Sequence, residues 1–385
     1  MRKLNKVALA VFPGALAIAS CGSAQSVESS APAGVNPFTV EPVGTFAEPW
    51  ALAFAPGTQT LFLTEKRGAM KFVDLPSGRV GTVTGMPEVD YGSQGGFGDV
   101  AFLASESSPT LARRTIYLTW AEAGEGDTRG AVLGRGTLVC EQADACHIDG
   151  LQVIWSQPKV TGRGQYSYRI AFSPDGKYLF LSSGDRQHAD TAQDLTNNLG
   201  TIVRLMPDGS AAPGNPFADK GAPGNQIWSY GHRNPLGLKF DLNGQLWDLE
   251  HGPRGGDEIN KVEPGKNYGW PLVSDGINYD GSPIPDNETR PDLTGPAITW
   301  TPVIAPGDFI FYSGKLWPQW KNQALIANLG TTSIVRVSLS GDSGTEEART
   351  QFDKRLRDIV EASDGSLYVA EDGPGGRLLH LTPAG

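Results

Sequence analysis

The chain has 385 residues, a formal net charge of −10, 39% hydrophobic and 19% charged residues, a composition that excludes an intrinsically disordered chain. The negative charge argues against nucleic-acid binding, which requires a basic surface. Abundant glycine and proline, together with 9 Trp, 10 Tyr and 15 Phe, favour short strands joined by tight turns over a helical bundle.

The first predicted element is an export signal at residues 1–21. A basic start precedes an apolar run at residues 7–19, which is too short to span a bilayer. The run ends in Ala19-Ser20-Cys21, which resembles the site where bacterial lipoproteins are cleaved and lipidated on the cysteine. We therefore expect Cys21 to carry a lipid. Cleavage at an ordinary signal-peptide site nearby, with loss of the cysteine, is the alternative.

Residues 22–37 are rich in Ser, Ala, Gly and Pro and are predicted to form a flexible tether. Because glycine rather than an acidic residue follows Cys21, the predicted location is the outer membrane, with the lipid-anchored protein facing the periplasm. An oxidising periplasm also favours a disulfide between Cys140 and Cys146. Metal binding by these cysteines is the alternative, for which His147 is a poor additional ligand.

Residues 38–382 contain six similar segments, each an apolar strand, a turn that often contains Asn-Gly or Asp-Gly, and a second apolar strand. The paired strands are predicted at 50–54 with 61–63, 98–102 with 116–118, 169–172 with 178–180, 236–240 with 246–247, 309–311 with 325–326, and 357–360 with 367–369. This repetition predicts an all-β domain, a six-bladed β-propeller of four-stranded antiparallel blades. β-Sandwiches are the alternative, but no change in composition separates the two or three that this length requires.

Residues 228–270 are unusually rich in glycine, proline and charge. Gly252 and Pro253 cannot belong to a regular central strand, so a loop is predicted there. Its carbonyl groups, with the carboxylates of Asp257 and Glu258, suit a calcium ion. The alternative is that the glycines only shape turns and the charged residues pair with one another.

Arg233 and Asn234 lie in the motif GHRNP at 231–235. Arg233 is permanently charged and suits an anionic or quinone oxygen, and Asn234 can both donate and accept hydrogen bonds. Together with EHGPRGGDE at 250–258 and NYGWP at 267–271, this motif resembles the glucose/sorbosone dehydrogenase family over roughly residues 38–382. The resemblance implies a six-bladed propeller and a calcium-dependent quinoprotein that oxidises aldose sugars with pyrroloquinoline quinone (PQQ).

The resemblance also implies roles for individual residues. Those implied to contact PQQ are Gln94, Arg233, Asn234, Tyr279, Arg355 and Arg357. Gly252 and Pro253 match backbone ligands of a calcium ion that bridges to PQQ, whereas Glu258 and Tyr268 match ligands of a further, structural calcium ion. Paired arginines suit a cofactor that carries three carboxylates. Asp185 matches a structural or near-site aspartate.

Two positions depart from the family pattern. The family's general base is a histidine four residues before the arginine matched by Arg169, and this chain has Gln165 there. A carboxamide cannot accept a proton usefully at neutral pH, so we expect catalysis through Gln165 and Arg233 to be slow. Gly330 replaces a lysine that contacts the cofactor, which removes one positive charge.

The sequence leaves three functions open. The leading one is PQQ-dependent oxidation of an aldose to a lactone by hydride transfer to the quinone, with an unknown electron acceptor. The second is a catalytically degenerate propeller that binds a carbohydrate, a cofactor or a protein, which the residue at position 165 favours. The third is a lactonase-type hydrolase that uses calcium to polarise a carbonyl group, although the retained motifs are those of the quinoprotein.

Overall fold

A computed structural model describes residues 36–385, and this part of the chain is almost entirely β-structure. The predicted signal segment, Cys21 and nearly all of the predicted tether lie outside the described residues. None of the described helices is long and apolar enough to cross a membrane. The short 3-10 helices of the described range connect strands and lie at Ala104–Glu106, Ala189–Gln193, Ala218–Lys220, Gly224–Gln226, Asn287–Thr289 and Pro318–Trp320.

The first and last strands of the described chain belong to the same four-stranded antiparallel sheet. This sheet has the order β1-β26-β25-β24, with β1 at Phe38–Phe46, β26 at Gly376–Pro383, β25 at Leu367–Glu371 and β24 at Leu356–Glu361. We refer to it as unit 6. Because β1 pairs with β26 from Phe38↔Pro383 to Phe46↔Gly376, the two ends of the described chain are joined by hydrogen bonds.

The next eight strands form two four-stranded antiparallel runs. Unit 1 consists of β2 (Pro49–Phe54), β3 (Thr60–Glu65), β4 (Ala69–Asp74) and β5 (Arg79–Thr84). Unit 2 consists of β6 (Phe97–Phe102), β7 (Arg113–Ala123), β8 (Arg129–Val139) and β9 (Ala145–Ser156). A short parallel pairing between β5 and β9 joins the two runs into one eight-stranded sheet.

The middle of the chain forms three further four-stranded antiparallel sheets. Unit 3 consists of β10 (Ser167–Phe172), β11 (Leu179–Ser183), β12 (Thr201–Leu205) and β13 (Ile227–Tyr230). Unit 4 consists of β14 (Pro235–Phe240), β15 (Leu246–Glu250), β17 (Asp257–Lys261) and β19 (Ile298–Trp300), with a separate pair β16 (Arg254–Gly255) and β18 (Gly276–Ile277). Unit 5 consists of β20 (Pro306–Phe311), β21 (Ala324–Asn328), β22 (Ser333–Ser340) and β23 (Ser343–Gln351).

The prediction of an all-β domain is confirmed, and each predicted strand pair overlaps the first two strands of one unit. The second strands β11, β21 and β25 are buried at every residue, which explains their short continuous apolar runs. Neighbouring units pack through apolar faces. In one such contact, Tyr117 and Leu133 of unit 2 pack with Leu181 and Val203 of unit 3.

The first strands of the units follow one another in a closed circuit. Strand β2 contacts β6, β6 contacts β10, β10 contacts β14, β14 contacts β20, β20 contacts β24, and β24 contacts β2. Residues at the starts of these strands therefore lie near one another, although they are far apart in sequence.

Arg169 lies at the centre of this circuit and is fully buried. Starting from β10 in unit 3, its side chain contacts every other unit through the ring of Trp50 at 4.1 Å, Asp99 at 3.4 Å, the carbonyl oxygen of Leu236 at 2.8 Å, Asp308 at 3.4 Å and Asp358 at 3.1 Å. Lys239 adds a second cation, with Nζ 2.8 Å from Asp308. We call Arg169, Lys239 and the three aspartates the central charge cluster.

Cys140 and Cys146 form the predicted disulfide. The bond joins the residue that follows β8 to the second residue of β9, so it crosses the turn of a hairpin. Both sulfur atoms are consumed in this bond, which rules out the alternative that the two cysteines bind a metal ion.

Candidate functional site

A cavity of about 270 Å³ lies where the six units converge, and we call it the main cavity. Every unit, or the segment that leads into it, contributes to the wall. The lining residues include Trp50, Lys66, Ser93, Gln94, Tyr166, Tyr168, Asn234, Leu236, His251, Leu329, Arg355, Arg357 and Asp372. Trp50 and Leu236 also contact Arg169, so the central charge cluster adjoins the main cavity.

Two of the arginines singled out in the sequence lie side by side in the main cavity. Arg355 Nε donates to Asp372 Oδ2 at 2.9 Å, and Arg357 Nε donates to Asp372 Oδ1 at 2.8 Å. Burial acts to raise the pKa of Asp372, but Arg357 and Arg355 outweigh burial and lower it. The Arg357 side chain is 12% exposed and that of Arg355 54%. A shared carboxylate thus holds two guanidinium groups, with much of their donor capacity left for an anionic ligand.

Gln94 connects two segments of the cavity wall. Its Oε1 accepts a hydrogen bond from the backbone N–H of Gln165 at 2.7 Å, and its backbone carbonyl oxygen accepts one from the Tyr168 hydroxyl at 3.2 Å. Burial raises the pKa of Tyr168, so this hydroxyl stays protonated at neutral pH. The predicted cofactor contact Gln94 therefore lies in the main cavity and positions the segment that contains Gln165.

Gln165 has its carboxamide oxygen occupied. Oε1 accepts a hydrogen bond from the backbone N–H of Gln187 at 3.0 Å, while Nε2 makes no hydrogen bond within residues 36–385. The side chain therefore presents an N–H donor rather than an acceptor, which is the opposite of what a general base requires. Gln165 is mostly buried and is not among the residues that line the main cavity.

The backbone around Gln165 is strained. Gln165, Ser167, Tyr168, Arg186 and Gln187 all have positive φ, between 50° and 65°, a region that non-glycine residues seldom adopt. The conformation is held by the buried Arg186 side chain, whose guanidinium group donates to the carbonyl oxygens of residues 129, 162 and 164. Strain of this kind persists only where the surroundings fix it, and such positions cluster at functional sites.

Asp185 also holds the segment that contains Gln165, through hydrogen bonds of its side chain and backbone. Its Oδ1 also accepts the Gln187 N–H, at 2.8 Å, and its Oδ2 accepts the indole N–H of Trp270 at 2.8 Å. Its backbone N–H donates to the carbonyl oxygen of Arg233 at 2.9 Å. Burial raises the pKa of Asp185. These contacts make it a link between the Gln165 segment and the loop of Arg233, and it does not line the main cavity.

Asn234 and Arg233 face different spaces. Asn234 lines the main cavity, and its Oδ1 accepts a hydrogen bond from the Ser167 hydroxyl at 3.1 Å. Arg233 lines a second, smaller cavity of about 20 Å³, and its Nη1 donates to the carbonyl oxygens of His251 at 3.0 Å and Gly252 at 2.8 Å. His251 lines both cavities, so the two spaces are neighbours.

Tyr279 is brought to Arg233 from outside the cavities. Its hydroxyl oxygen accepts a hydrogen bond from Arg233 Nη2 at 3.2 Å, and its side chain stays largely exposed. The guanidinium group also lies 5.2 Å from the centre of the Trp270 ring. The sequence-predicted pair therefore meets beside the second cavity, and neither residue lines the main cavity.

The second cavity is lined by Gly252, Glu258 and Tyr268, which were predicted to bind calcium, whereas Pro253 does not line it. Glu250 and Glu258 stand directly opposite each other on β15 and β17, and both line this cavity. Like charges in that register are unfavourable. Burial, and after it the negative charge of Glu250, raises the pKa of Glu258 well above its ordinary value. The single hydrogen bond that the Glu258 side chain makes within the described residues comes from Asn260 Nδ2 at 3.0 Å. Glu250 is already hydrogen-bonded by His232, by Asn260 and by two backbone N–H groups, so the carboxylate with capacity for a divalent cation is that of Glu258.

Gly252 contributes backbone to the same cavity, and its conformation leaves no room for a side chain. A Cβ atom there would lie 2.2 Å from the carbonyl oxygen of Gly255 and 2.4 Å from that of Gly256. Asp257 shapes this loop, because its carboxylate accepts the backbone N–H groups of Gly252 and Ala305. Pro253 is buried in the loop. The loop therefore brings the carbonyl oxygens of Gly255 and Gly256 close together, and oxygen atoms of this kind suit a calcium ion.

The side chain of Tyr268 is engaged by other residues of the protein. Its hydroxyl donates to the carbonyl oxygen of Lys261 and accepts the backbone N–H of Glu263, and its ring stacks on His232 at 4.6 Å. Asp248 and Glu250 outweigh burial and raise the pKa of His232 to about 10. Any part that Tyr268 plays in holding a cation therefore falls to its backbone carbonyl group.

The sequence missed several residues of the main cavity. Glu48, Lys66, Asp372 and His251 carry charge or hydrogen-bonding groups into it, yet none was predicted as a site residue. His251 Nε2 lies 2.6 Å from the carbonyl oxygen of Pro306, and burial lowers the pKa of this histidine. A neutral imidazole whose Nε2 donates to that carbonyl group follows from both observations.

The chain is similar to known sugar dehydrogenases in sequence and in fold. The family model described as Glucose / Sorbosone dehydrogenase matches residues 46–380. The aldose sugar dehydrogenase YliI of Escherichia coli (strain K12) is 35% identical over 362 residues, which cover 92% of this chain and 94% of that protein. The apo-form crystal structure of the soluble aldose sugar dehydrogenase from Escherichia coli is 34% identical with a TM-score of 0.82, covering 90% of this chain and 100% of that one. The PQQ-bound aldose sugar dehydrogenase from Streptomyces coelicolor is 25% identical with a TM-score of 0.71, covering 90% and 99%.

Proposed function

The chain belongs to the glucose/sorbosone dehydrogenase family, and we propose that it oxidises aldose sugars to lactones with PQQ as cofactor and calcium as the metal ion. The observation that carries the proposal is the cationic main cavity at the convergence of the six units, lined by Gln94, Asn234, Arg355 and Arg357. A similar fold with bound PQQ in the Streptomyces coelicolor enzyme supports it.

The chemistry of the lining fits a planar, multiply charged anion. Arg355 and Arg357 supply permanent cations with several donors each, Asn234 and Gln94 supply neutral polar groups, and Trp50 supplies an aromatic face. PQQ, when bound, supplies the quinone that accepts hydride from the sugar. The two arginines would hold the carboxylates of the cofactor and so fix its orientation relative to the sugar.

Calcium would be held beside Gly252 and Pro253, with a structural ion at Glu258 and the backbone of Tyr268. The facing carboxylates of Glu250 and Glu258 and the crowded carbonyl groups of the glycine loop support these assignments. Arg233, whose Nη1 donates to the carbonyl oxygen of Gly252 at 2.8 Å, would supply a permanent cation that stabilises negative charge developing on a nearby oxygen of the bound cofactor.

Gln165 replaces the base, and its environment argues for slow proton removal. Its Oε1 is engaged by Gln187 and its free group is a donor, so this side chain can orient a sugar oxygen but cannot take the anomeric hydroxyl proton. The same observation favours the second candidate, a degenerate propeller that binds a carbohydrate, a cofactor or a protein without turnover. The lactonase-type hydrolase has no comparable structural argument.

The test is reconstitution of the purified protein with PQQ and calcium, followed by a panel of aldoses. Reduction of the bound cofactor on addition of a sugar, monitored by its absorbance, is the expected result. Binding of PQQ or sugar without reduction would favour the degenerate propeller. Hydrolysis of a lactone in the absence of PQQ would favour the hydrolase.

We infer that the six four-stranded units are the blades of a six-bladed propeller, which the closed circuit of first strands supports.

We also propose that the protein is lipid-anchored on the periplasmic side of the outer membrane, which the sequence around Cys21 supports. Mass spectrometry of the mature N-terminus tests the anchor, and an unmodified terminus beyond Cys21 would contradict it.

A further inference from the structure

Lys66 introduces a cation into the main cavity from unit 1. It follows β3 directly and lines the cavity together with Arg355 and Arg357. Its side chain is 17% exposed, and its Nζ lies 3.6 Å from Glu48 Oε1 and donates to the carbonyl oxygen of Ser93.

The ammonium group of Lys66 has unused donors. A lysine ammonium carries three N–H donors, and Lys66 makes one side-chain hydrogen bond within residues 36–385, to Ser93. Burial lowers the pKa of Lys66, while Glu48 acts in the opposite direction. A partly buried cation of this kind is stabilised by an anion in the cavity, because such an anion supplies both charge and acceptors.

The position of the missing family lysine cannot supply this charge. A Cβ atom at Gly330 would lie 2.8 Å from the carbonyl oxygen of Ile304 and 2.9 Å from Cβ of Ala305. The Gly330 N–H also donates to the Ile304 carbonyl oxygen at 3.0 Å, so the backbone is held in this crowded place. A longer side chain at residue 330 therefore requires the backbone to shift.

Lys66 changes the formal net charge of the residues that line the main cavity. Lys66, Arg355 and Arg357 are positive and Glu48 and Asp372 are negative, so the sum is three minus two, or +1. Without Lys66 the sum is two minus two, or zero. For a ligand with several carboxylates, the charge of Lys66 therefore adds to the attraction that the two arginines provide.

We propose that Lys66 is a cofactor-binding residue of this chain and that its ammonium group replaces the charge lost at Gly330. It binds an acidic group of PQQ from the side of the cavity formed by unit 1, next to Gln94, whose neighbour Ser93 it contacts. Glu48 keeps the lysine in place without reaching hydrogen-bonding distance, at 3.6 Å. The proposal rests on the proposed function, since it assumes that the cavity takes PQQ.

The test measures PQQ affinity rather than turnover. The purified full chain, with calcium present, is titrated with PQQ, and binding is followed by quenching of tryptophan fluorescence and by calorimetry. Lys66→Gln removes the charge but retains a donor for Ser93, and Lys66→Arg retains the charge. Lys177→Gln is the matched control, because Lys177 is 70% exposed in a turn and pairs with Asp175.

Lys66→Gln should raise the Kd for PQQ about tenfold to one-hundredfold, as expected for loss of a charge-assisted hydrogen bond. Lys66→Arg should stay within a few-fold of the wild type, as should the Lys177 control, and the salt dependence of the Kd should be weaker in Lys66→Gln. Thermal melts of the cofactor-free proteins show whether each variant is folded, and Lys66→Met is the second neutral variant should Lys66→Gln not fold.

Equal PQQ affinity of a folded neutral variant and the wild type would overturn the role of Lys66 and leave the proposed function standing. A wild-type protein that does not bind PQQ at all would overturn the proposed function itself. The two failures are therefore distinguishable in one set of titrations.

Discussion

Arg169 Nη1 lies 3.1 Å from Asp358 Oδ2, although the two residues are 189 positions apart in the sequence. Arg169 belongs to unit 3 and Asp358 to unit 6, and both side chains are almost completely inaccessible to solvent. The bond crosses the centre of the circuit of first strands. Because Trp50 and Leu236 contact Arg169 and also line the main cavity, the central charge cluster supports part of the wall of the main cavity.

Replacement of Arg169 by methionine should destabilise the protein by about 3–5 kcal/mol, because it leaves the buried Asp99 and Asp358 without the cation that contacts them. Burial acts to lower the pKa of Arg169, but Asp308, Asp358 and Asp99 outweigh burial and raise it, so the side chain is charged at all accessible pH values. Urea denaturation measures the change in the free energy of unfolding.

The matched control is Arg113→Met, since Arg113 forms an exposed pair with Asp149 at 3.7 Å. An exposed pair of this kind is worth about 0–1 kcal/mol. Equal stability of Arg169→Met and the wild type would show that the central charge cluster does not hold the units together.

Arg357→Gln should weaken PQQ binding more than Arg355→Gln. The Arg357 side chain is 12% exposed and that of Arg355 54%, and a charge is screened less by solvent in the more buried position. We expect a rise in Kd of about tenfold or more for Arg357→Gln. Arg79→Gln, an exposed arginine on β5, is the control. The reverse order of the two effects would mean that the cofactor contacts the outer arginine.

Removal of calcium by a chelator should lower the melting temperature of the wild type, because an ion bound only to the folded state stabilises it by mass action. Glu258→Gln should reduce this calcium-dependent difference, since it removes one of the two facing carboxylates. Glu125→Gln, at an exposed turn, should leave the difference unchanged. Identical melting curves of the wild type with and without chelator would contradict the calcium assignment.

The parts of the fold that sequence could predict are those with a local signal. The first two strands of each unit are apolar and are joined in several units by Asp-Gly or Asn-Gly turns, as at Asp175-Gly176 and Asp364-Gly365. The outer strand β23 has no comparable pattern, because none of its residues is buried and its register comes from pairing with β22. The pairing of β1 with β26 joins residues that are far apart in the chain, so no local signal announces it.

The residues of the candidate site also fall into two groups, those that a local motif identifies and those that only the fold brings to the site. Arg233, Arg355 and Arg357 stand in dense motifs, and the motifs identified them. Lys66 and Asp372 follow strands in ordinary-looking sequence, and only the convergence of the units brings them to the cavity wall. Such residues reach the site through the three-dimensional fold, so sequence motifs do not identify them.

Gln165→His should raise the rate of aldose oxidation by one order of magnitude or more, because general-base catalysis typically contributes about 10²–10⁴-fold. Asp185 still accepts the Gln187 N–H after the change, so this N–H group keeps one of its two acceptors. An imidazole with an ordinary pKa of about 6.5 acts as a base only when neutral, so the gain should appear as pH rises through that value and vanish below it. Gln165→Leu is the control without a base and should show no gain. If the wild type already turns over as fast as Gln165→His under the same conditions, another group removes the proton and the replacement at residue 165 is not what limits the rate.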